Sequence, residues 1–295
     1  MFSAMKIKKF SPCKVNLMLA ITGVREDGFH NLVSLVAPTH FGDDLWAEIA
    51  DAPNDSLSCS VEGVPLDSSN LILKAAELFR EAAGVQTHFN FALDKKVPMG
   101  AGLGGGSSNG AVALEAMNEL CGKPLSLRQL EKIAAKMGSD CPLFLSNSPV
   151  VMRGRGEKVF PLFGEAREYV GMLRLLIFKP DFSINTGWAY SQMKANPADY
   201  IDPDAAEAML SQWLESPNFS DIPFYNNMQI EAFKKYPSLE LAVLGIREKF
   251  SIPALMSGSG SACFAVVNDL DEKQIQNLVD YIKSIFGESC FIALP

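Results

Sequence analysis

A glycine-rich run restricts the fold of this chain more than any other stretch of its sequence. Five of the seven residues at 100–106 are glycine, and Ser107 and Ser108 follow them. Glycine accepts positive φ and has no Cβ, so consecutive N–H groups of such a loop can converge on one anion. Residues 89–93 before the run alternate like a strand, and residues 111–120 after it have helical spacing. This order indicates a phosphate-binding loop at a helix N-terminus.

Three other interpretations of the run fit less well. A flexible linker need not lie between a strand and a helix. A dinucleotide-binding loop has Gly-x-Gly-x-x-Gly spacing and continues into a strand ending in Asp or Glu, whereas residues 121–125 indicate a turn into another helix. A P-loop requires Gly-Lys-Ser or Gly-Lys-Thr, and the sequence contains neither.

The composition argues against several classes of partner. The chain has 295 residues, with 26 Lys and Arg against 34 Asp and Glu, a formal net charge of −8 that would repel nucleic acid and anionic membranes. Its six cysteines form no Cys-x-x-Cys pair, so neither a zinc site nor a redox motif is indicated. Residues 1–10 have no apolar stretch long enough for a signal peptide, so we expect none, and no later apolar run reaches the roughly 18 residues of a membrane span. We expect a cytoplasmic protein with no nucleic-acid or membrane partner.

Apolar spacing predicts a mixture of strands and helices. Asn70 is expected to cap a helix, and a second helix begins at the capping box formed by Ser126 and Gln129 and ends at Gly138. Asp140 therefore lies just beyond a helix end. Further strands are expected near residues 15–21, 45–50, 172–178 and 262–267, further helices near 226–235 and 271–286, and loops around one short helix over 196–224.

Three motifs together resemble those of the GHMP kinases. Residues 98–108 are similar to the second family motif, whose loop wraps the phosphates of ATP. Residues 11–17 are similar to the first motif and residues 256–264 to the third, in the family's order and across nearly the whole chain. The resemblance implies an α+β fold in two domains with the site between them. These are residues 1–163, resembling ribosomal protein S5 domain 2, and residues 164–295, a ferredoxin-like domain.

A further segment resembles one branch of this family. Residues 23–30 are similar to the Arg-x-Asp-Gly-Tyr-His stretch of the diphosphocytidyl methylerythritol kinases, which mevalonate, homoserine and galactose kinases lack. The segments around Asp43 and at 70–72, 138–142 and 153–157 are also similar to that branch. The resemblance implies ATP-dependent phosphorylation of the 2-hydroxyl of a cytidine diphosphate-linked polyol, 4-diphosphocytidyl-2-C-methyl-D-erythritol, in the non-mevalonate isoprenoid precursor pathway. A mevalonate- or homoserine-type kinase and a non-catalytic nucleotide-binding regulator are the alternatives.

The resemblance also implies roles for individual residues. Lys14 and Asp140 match the family's catalytic pair: Asp140 would accept the proton of the substrate hydroxyl, and Lys14 would keep that carboxylate ionised and offset charge on the reacting oxygen. The positions matching the substrate-binding residues are Asn16, Phe29, His30, Thr186 and Tyr190.

Phe29 and Tyr190 are expected to sandwich the cytosine, while His30 reads its edge. Tyrosine is usual at the position of Phe29, so one polar contact is missing there. Packing of Phe29 in the core is the alternative.

The expected ATP site begins at Lys95, which we choose over Lys96 from the match of the Asp-Lys pair. It continues through the second motif: Pro98, Met99, Gly100, Ala101, Gly102, Leu103, Gly104, Gly105, Gly106, Ser107 and Ser108. The third-motif loop adds Gly258, Ser259 and Gly260 as a floor. Transfer of a phosphoryl group from ATP calls for Mg²⁺, but the sequence shows no carboxylate cluster that would identify its ligands.

Two cysteines depart from the family pattern beside the catalytic pair. Cys13 precedes Lys14 and Cys141 follows Asp140, where small or branched apolar residues are usual. Either each thiol packs as a small hydrophobic group, or the lysine lowers a thiol pKa and makes the protein sensitive to alkylation.

Overall fold

The structure, a computed structural model, describes residues 6–146 and 148–294 and mixes strands with helices throughout. The strands are β1 (Lys6–Val24), β2 (His30–Ile49), β3 (Ser56–Cys59), β4 (Phe89–Asp94), β5 (Val150–Gly154), β6 (Lys158–Pro161), β7 (Leu175–Lys179), β8 (Tyr225–Asn226), β9 (Ala254–Met256), β10 (Cys263–Val266) and β11 (Phe291–Ala293).

The helices, in chain order, are α1 (Leu71–Ala83), α2 (Gly105–Leu120), α3 (Leu127–Met137), α4 (Gly164–Gly171), α5 (Thr186–Ala195), α6 (Pro203–Glu215), α7 (Gln229–Lys235), α8 (Pro237–Phe250) and α9 (Glu272–Phe286). Short 3-10 helices occur at Pro142–Leu145 and Pro197–Asp199. Among the described residues, no helix combines the length and the hydrophobicity that crossing a bilayer requires.

The chain forms two compact units that interleave along the sequence. The first unit takes the described residues up to Cys13, then His40–Met99, then the residues from Gly104 to 146. The second takes Lys14–Thr39, Gly100–Leu103 and the described residues from Ser148 onward. Strands β1 and β2, of 19 and 20 residues, contribute to both units. The division into residues 1–163 and 164–295 stays a prediction.

In the first unit, helices α1, α2 and α3 pack on one another. Strand β4 pairs with β2 in antiparallel fashion and with β3 in parallel fashion. Alternate residues of β4 are buried because neighbouring residues of a strand face opposite sides. Helix α1 buries residues spaced three and four apart, as expected for one helical face. These core residues are Phe89, Phe91 and Leu93 of β4 and Ile72, Ala75, Ala76 and Phe79 of α1.

In the second unit, the first half of β2 pairs antiparallel with β5, which also pairs with β6. Strand β8 runs parallel to β1, with Tyr225 opposite Met18. A separate antiparallel sheet has the strand order β11-β7-β10-β9 and buries Phe178 and Phe264 completely. The third-motif residues connect β9 to β10, so two paired strands fix both ends of that loop.

Several predictions of helix ends are confirmed. The side chain of Asn70 accepts a hydrogen bond from the N–H of Ile72 at 3.0 Å, as a helix cap does. The capping box at α3 is present, with the Ser126 N–H donating to Gln129 Oε1 at 2.9 Å. Asp271 caps α9 in the same way.

Three boundaries predicted from the sequence are wrong. The helix predicted from residue 226 begins at Gln229, because Asn226 lies in β8. Helix α2 begins at Gly105 rather than near residue 111, so the last two glycines and both serines of the run form its first turn. The strand predicted from residue 172 begins at Leu175, because the N–H of Met172 still donates to the Glu168 carbonyl at the end of α4. Low intrinsic helix propensity of glycine and serine accounts for the error at the start of α2.

Candidate active site

The glycine-rich run takes backbone angles that only glycine adopts readily. Gly100, Gly102 and Gly104 have φ of 63°, 77° and 68°, in the left-handed region. Gly104 is the N-cap of α2, so the N–H groups of the next residues have no partner within the helix. Together with the helix dipole, these N–H groups favour an anion at this point. The local structure therefore agrees with a phosphate-binding loop.

Asp43 holds the two sides of this run together in the first unit. Its side chain is completely buried in β2 and accepts hydrogen bonds from Lys95 Nζ at 2.5 Å and Asn109 Nδ2 at 2.9 Å. The backbone N–H groups of Lys96 and Val97 donate to its other oxygen at 2.7 and 2.8 Å. Residues before the loop and a residue of the helix after it thus share one carboxylate.

Two serines extend this group of polar side chains, which we call the Asp43 clamp: Asp43, Lys95, Asn109, Ser11 and Ser108. Ser11 Oγ donates to Ser108 Oγ at 2.8 Å, and Asn109 Nδ2 donates to Ser11 Oγ at 2.9 Å. Ser108 is completely buried. Its hydroxyl is thus committed to the clamp rather than directed to solvent.

The structure places Lys95 in the clamp, with only 7% of its side chain exposed. Its ammonium group contacts Asp43 and, at 3.4 Å, Asn109 Oδ1. A Cβ on Gly105 would lie 2.9 Å from Lys95 Nζ, so glycine is needed where α2 passes the lysine. Contact of Lys95 with a nucleotide stays a prediction. The ion pair of Lys95 with Asp43 was not predicted from the sequence.

Asp140 lies in the turn between α3 and the 3-10 helix, and it is partly buried. The adjacent Cys141 is fully buried, and its N–H donates to the Gly138 carbonyl at 3.2 Å. Burial raises the pKa of the Cys141 thiol to about 11, while a hydrogen bond with Ser107 opposes part of this rise. Ser107 of the second motif and the Asp140 turn are therefore neighbours in the first unit.

Burial also bears on the two alternatives for the cysteines. Cys13 and Cys141 both have no exposed surface. Burial keeps reagents from both thiols, and the raised pKa of Cys141 also keeps that thiol protonated at neutral pH. The structure favours packing over reactivity for both.

Lys14 and Asn16 lie in β1 within the second unit, and both are buried. Because they are two residues apart in a strand, they face the same side. Lys14 Nζ donates to Asn16 Oδ1 at 2.6 Å, and the Lys14 N–H donates to the Leu103 carbonyl at 2.9 Å. The first motif thus contacts the glycine-rich run directly.

The third-motif loop meets both of these segments in the second unit. The Asn16 N–H donates to Ser257 Oγ at 3.3 Å. A Cβ on Gly102 would lie 2.6 Å from the Ser257 carbonyl oxygen, and a Cβ on Gly258 would lie 3.5 Å from Lys14 Nζ. Residues of all three motifs therefore converge at one place. Thr186, at the start of α5, joins them through a 3.1 Å contact between its hydroxyl and that of Ser259.

An aromatic cluster, which we define as Phe29, His30, Tyr190 and Tyr200, occupies another part of the second unit. The ring centroids of His30 and Tyr190 are 5.0 Å apart, and His30 Nε2 lies 3.2 Å from the Tyr200 hydroxyl. Phe29 is 52% exposed, which argues against the alternative that it packs in the core. The guanidinium group of Arg155 lies over its ring, with Cζ 4.7 Å from the centroid.

Burial lowers the pKa of His30, and the positive charge of Lys194 lowers it further. Its imidazole is therefore neutral at neutral pH. The structure brings together His30 and Tyr190, two residues that the sequence indicated for the substrate, and Phe29 is next to His30 in the chain. Tyr200 and Arg155 were not predicted as site residues: Tyr200 lies outside every motif, and the family-like segment 153–157, which contains Arg155, implied no role for that side chain.

The described residues contain no group of three or more His, Cys, Asp or Glu side chains that could hold a metal ion. They do not form a ready cage for Mg²⁺. When Mg²⁺ accompanies a nucleotide, phosphate and water oxygens supply most of its ligands.

Comparison with known proteins identifies the family. The model of the GHMP kinases N terminal domain matches residues 70–148, which include the glycine-rich run and Asp140. The chloroplastic 4-diphosphocytidyl-2-C-methyl-D-erythritol kinase of Mentha piperita is 36% identical over 293 residues, covering 97% of this chain and 70% of that protein. The chain belongs to this kinase family.

Two further comparisons agree with this family. The kinase of the same name from Methylacidiphilum infernorum (isolate V4) is 35% identical and covers 98% of this chain and 96% of its own length. A crystal structure of 4-(cytidine 5'-diphospho)-2C-methyl-D-erythritol kinase matches with a TM-score of 0.75 and 29% identity, over 97% of this chain and 98% of that one. The predicted α+β class and GHMP kinase fold are confirmed, and membership of a kinase family implies ATP as co-substrate.

Proposed function

We propose that this protein transfers the γ-phosphoryl group of ATP to the 2-hydroxyl of 4-diphosphocytidyl-2-C-methyl-D-erythritol. The observation that carries the proposal is the convergence of Lys14, Asn16 and the third-motif loop on residues of the glycine-rich run. This convergence occurs in a chain whose relatives over nearly its full length carry the name of that kinase.

The proposed reaction needs a base, a cation and a phosphate cradle. Asp140 accepts the hydroxyl proton as the hydroxyl oxygen forms a bond to the γ-phosphorus and the bond from that phosphorus to the β–γ bridging oxygen breaks, releasing ADP. Lys14 offsets the negative charge on the reacting oxygens. The N–H groups at the start of α2 hold the phosphates of the nucleotide. Because the transition state of such transfers is loose, positioning and charge contribute more than base strength.

The cytidine end of the substrate is assigned to the aromatic cluster. Phe29 and Tyr190 supply ring faces for stacking on the base, a contact that does not need the hydroxyl of the tyrosine usual at position 29. His30 is neutral and offers one donor and one acceptor nitrogen to the edge of the base. We propose that the enzyme works in the cytoplasm on small molecules, without nucleic acid.

Comparison of the turnover of three substrates, each offered separately, tests the proposal. Purified protein is incubated with ATP and either the cytidine substrate, mevalonate or homoserine, while ADP release is followed and the product is identified by mass and by ³¹P NMR. ADP and a phosphorylated cytidine product in equal amounts are the expected result. Equal or faster turnover of mevalonate or homoserine would reassign the substrate, and nucleotide binding without turnover would indicate a regulator.

Replacement of the proposed base tests the mechanism separately. Asp140→Asn should lower kcat by roughly 10²-fold or more and leave the KM for ATP nearly unchanged, since general bases contribute on that scale. A near-normal kcat would remove Asp140 from the proton transfer.

A further inference from the structure

The residue before Tyr200 is hydrogen-bonded to a buried asparagine, and the Tyr200 side chain contacts His30. Tyr200 follows the 3-10 helix Pro197–Asp199, and the buried Asn227 fixes the residue just before it. Asn227 Nδ2 donates to the Asp199 carbonyl and to the Ile21 carbonyl, each at 2.9 Å, while its Oδ1 accepts from the Ile21 N–H at 2.9 Å. The Tyr200 hydroxyl lies 3.2 Å from His30 Nε2.

This contact has a preferred direction. A neutral imidazole carries its proton on one nitrogen and accepts through the other. The lone pair of an imidazole nitrogen is a stronger acceptor than a phenol oxygen, and a phenol O–H is a strong donor. The hydrogen bond is therefore more stable when Tyr200 donates to Nε2 of His30, which leaves the proton of the imidazole on Nδ1.

We propose that Tyr200 is a positioning residue that holds His30 as the Nδ1–H tautomer, so that His30 presents a hydrogen-bond donor to the pyrimidine of the substrate. This inference rests on the proposed function, in which His30 reads the edge of the base. Tyr200 itself need not touch the substrate. Its contribution is the choice of which imidazole nitrogen carries the proton.

The tautomer has a consequence for base selection. Cytosine has an unprotonated N3 that accepts a hydrogen bond, whereas uracil has an N3–H that donates one. Enzymes commonly read a base through hydrogen bonds to this edge. A donor nitrogen on His30 pairs with the N3 of cytosine and opposes the N3–H of uracil. Tyr200 is therefore a specificity-determining residue for cytidine over uridine.

The ligand-free protein allows a direct test, because the chain has only three histidines, His30, His40 and His88. Protein labelled with ¹⁵N-histidine is studied by long-range ¹H–¹⁵N correlation at neutral pH, and the His30→Gln variant identifies the His30 signals. We expect the proton of His30 on Nδ1 in the wild type. A proton on Nε2 would overturn the inference whatever reaction the protein catalyses.

The second test is the kinetics of the Tyr200→Phe variant. Tyr169→Phe in α4 is the control, because it removes a phenolic hydroxyl far from His30 in the sequence. Tyr200→Phe should raise the KM for the cytidine substrate about two- to tenfold, the size of one hydrogen bond, with kcat within about twofold. It should also reduce the preference over the uridine analogue and release His30 from the Nδ1–H tautomer.

Tyr169→Phe should change none of these quantities. An unchanged KM, base preference and tautomer in Tyr200→Phe would contradict the inference. A wild type that turns over no cytidine substrate would instead refute the proposed function, while the tautomer measurement would still be informative. If Tyr200→Phe does not fold, the wild-type tautomer alone decides.

Discussion

Replacing Asp43 by alanine should destabilise the protein strongly, because it removes the acceptor at the centre of the Asp43 clamp. Lys95, with 7% of its side chain exposed, would lose the carboxylate that neutralises its charge. The N–H groups of Lys96 and Val97 would lose the oxygen that both share. The glycine-rich run, which we propose binds the phosphates of ATP, is joined to these groups, so the KM for ATP should also rise.

The magnitude follows from the burial of the pair. Removing one partner of a buried ion pair costs about 3–5 kcal/mol, because the remaining charge stays desolvated. A natural domain has about 5–15 kcal/mol of stability in total, so this loss is a large part of it. Deleting both charges in Asp43→Ala/Lys95→Met should cost less than the sum of the single losses by about 0.5–3 kcal/mol, since no unpaired ammonium is left.

Urea unfolding measured by circular dichroism gives these differences, and the next residue provides the control. Asp44 also binds lysines, but the side chains of its partners Lys8 and Lys96 are 54% and 45% exposed. Asp44→Ala should therefore cost no more than about 1 kcal/mol. Equal losses for Asp43→Ala and Asp44→Ala, or strictly additive losses in the double variant, would refute the reasoning.

Three more predictions follow from the loop, the aromatic cluster and the buried thiol. Gly102→Ala should lower the free energy of unfolding in urea by about 2–4 kcal/mol, because Gly102 has a positive φ and its Cβ would lie 2.6 Å from a backbone oxygen. Gly106→Ala is the control: no atom lies within 4 Å of its Cβ, so this change should be neutral or slightly stabilising. Similar decreases in the free energy of unfolding for the two variants would exclude the steric cause. Phe29→Ala should weaken binding of the cytidine substrate by about 1–3 kcal/mol in calorimetry, with little effect on ATP binding. Phe160, which is similarly exposed, is the control, and Phe160→Ala should leave the affinity for the cytidine substrate unchanged. Unchanged affinity in Phe29→Ala would remove Phe29 from the site. Because the pKa of Cys141 is raised to about 11, little of its thiol is ionised at pH 8, and the thiolate fraction increases only as the pH approaches that value. Mass spectrometry should therefore find Cys141 labelled by iodoacetamide after unfolding but not in the folded protein. Rapid labelling of the folded protein that ATP prevents would contradict the burial of Cys141.

The sequence predicted those parts of the fold that depend on neighbouring residues. Asn70 and the Ser126 capping box act over two or three residues, so their local pattern was sufficient. The start of α2 depends on more than propensity, because the Asp43 clamp holds its first turn from outside the helix. Glycine and serine therefore form a helical turn there against their intrinsic preference.

In the candidate site, contacts between residues of recognised motifs were expected, whereas contacts with residues outside the motifs were not. The convergence of Lys14 with the third-motif loop was expected from the family resemblance. The segment around Asp43 resembled that of the family, but the clamp itself was not predicted, because none of the donors to Asp43 is close to it in the chain. Tyr200 lies in a Pro- and Asp-rich stretch and meets His30 across 170 residues, which no local pattern records.

The large sequence separation of the contacts in the Asp43 clamp also affects when the glycine-rich run can fold. Lys95 meets Asp43 across 52 residues, Asn109 meets it across 66, and Ser11 meets Ser108 across 97. Contacts of such sequence separation form slowly, since the intervening chain must first lose its freedom. A nascent chain that has not been synthesised beyond residue 109 cannot close the clamp. Nucleotide binding can therefore stabilise the finished fold but cannot assist the first stages of its formation.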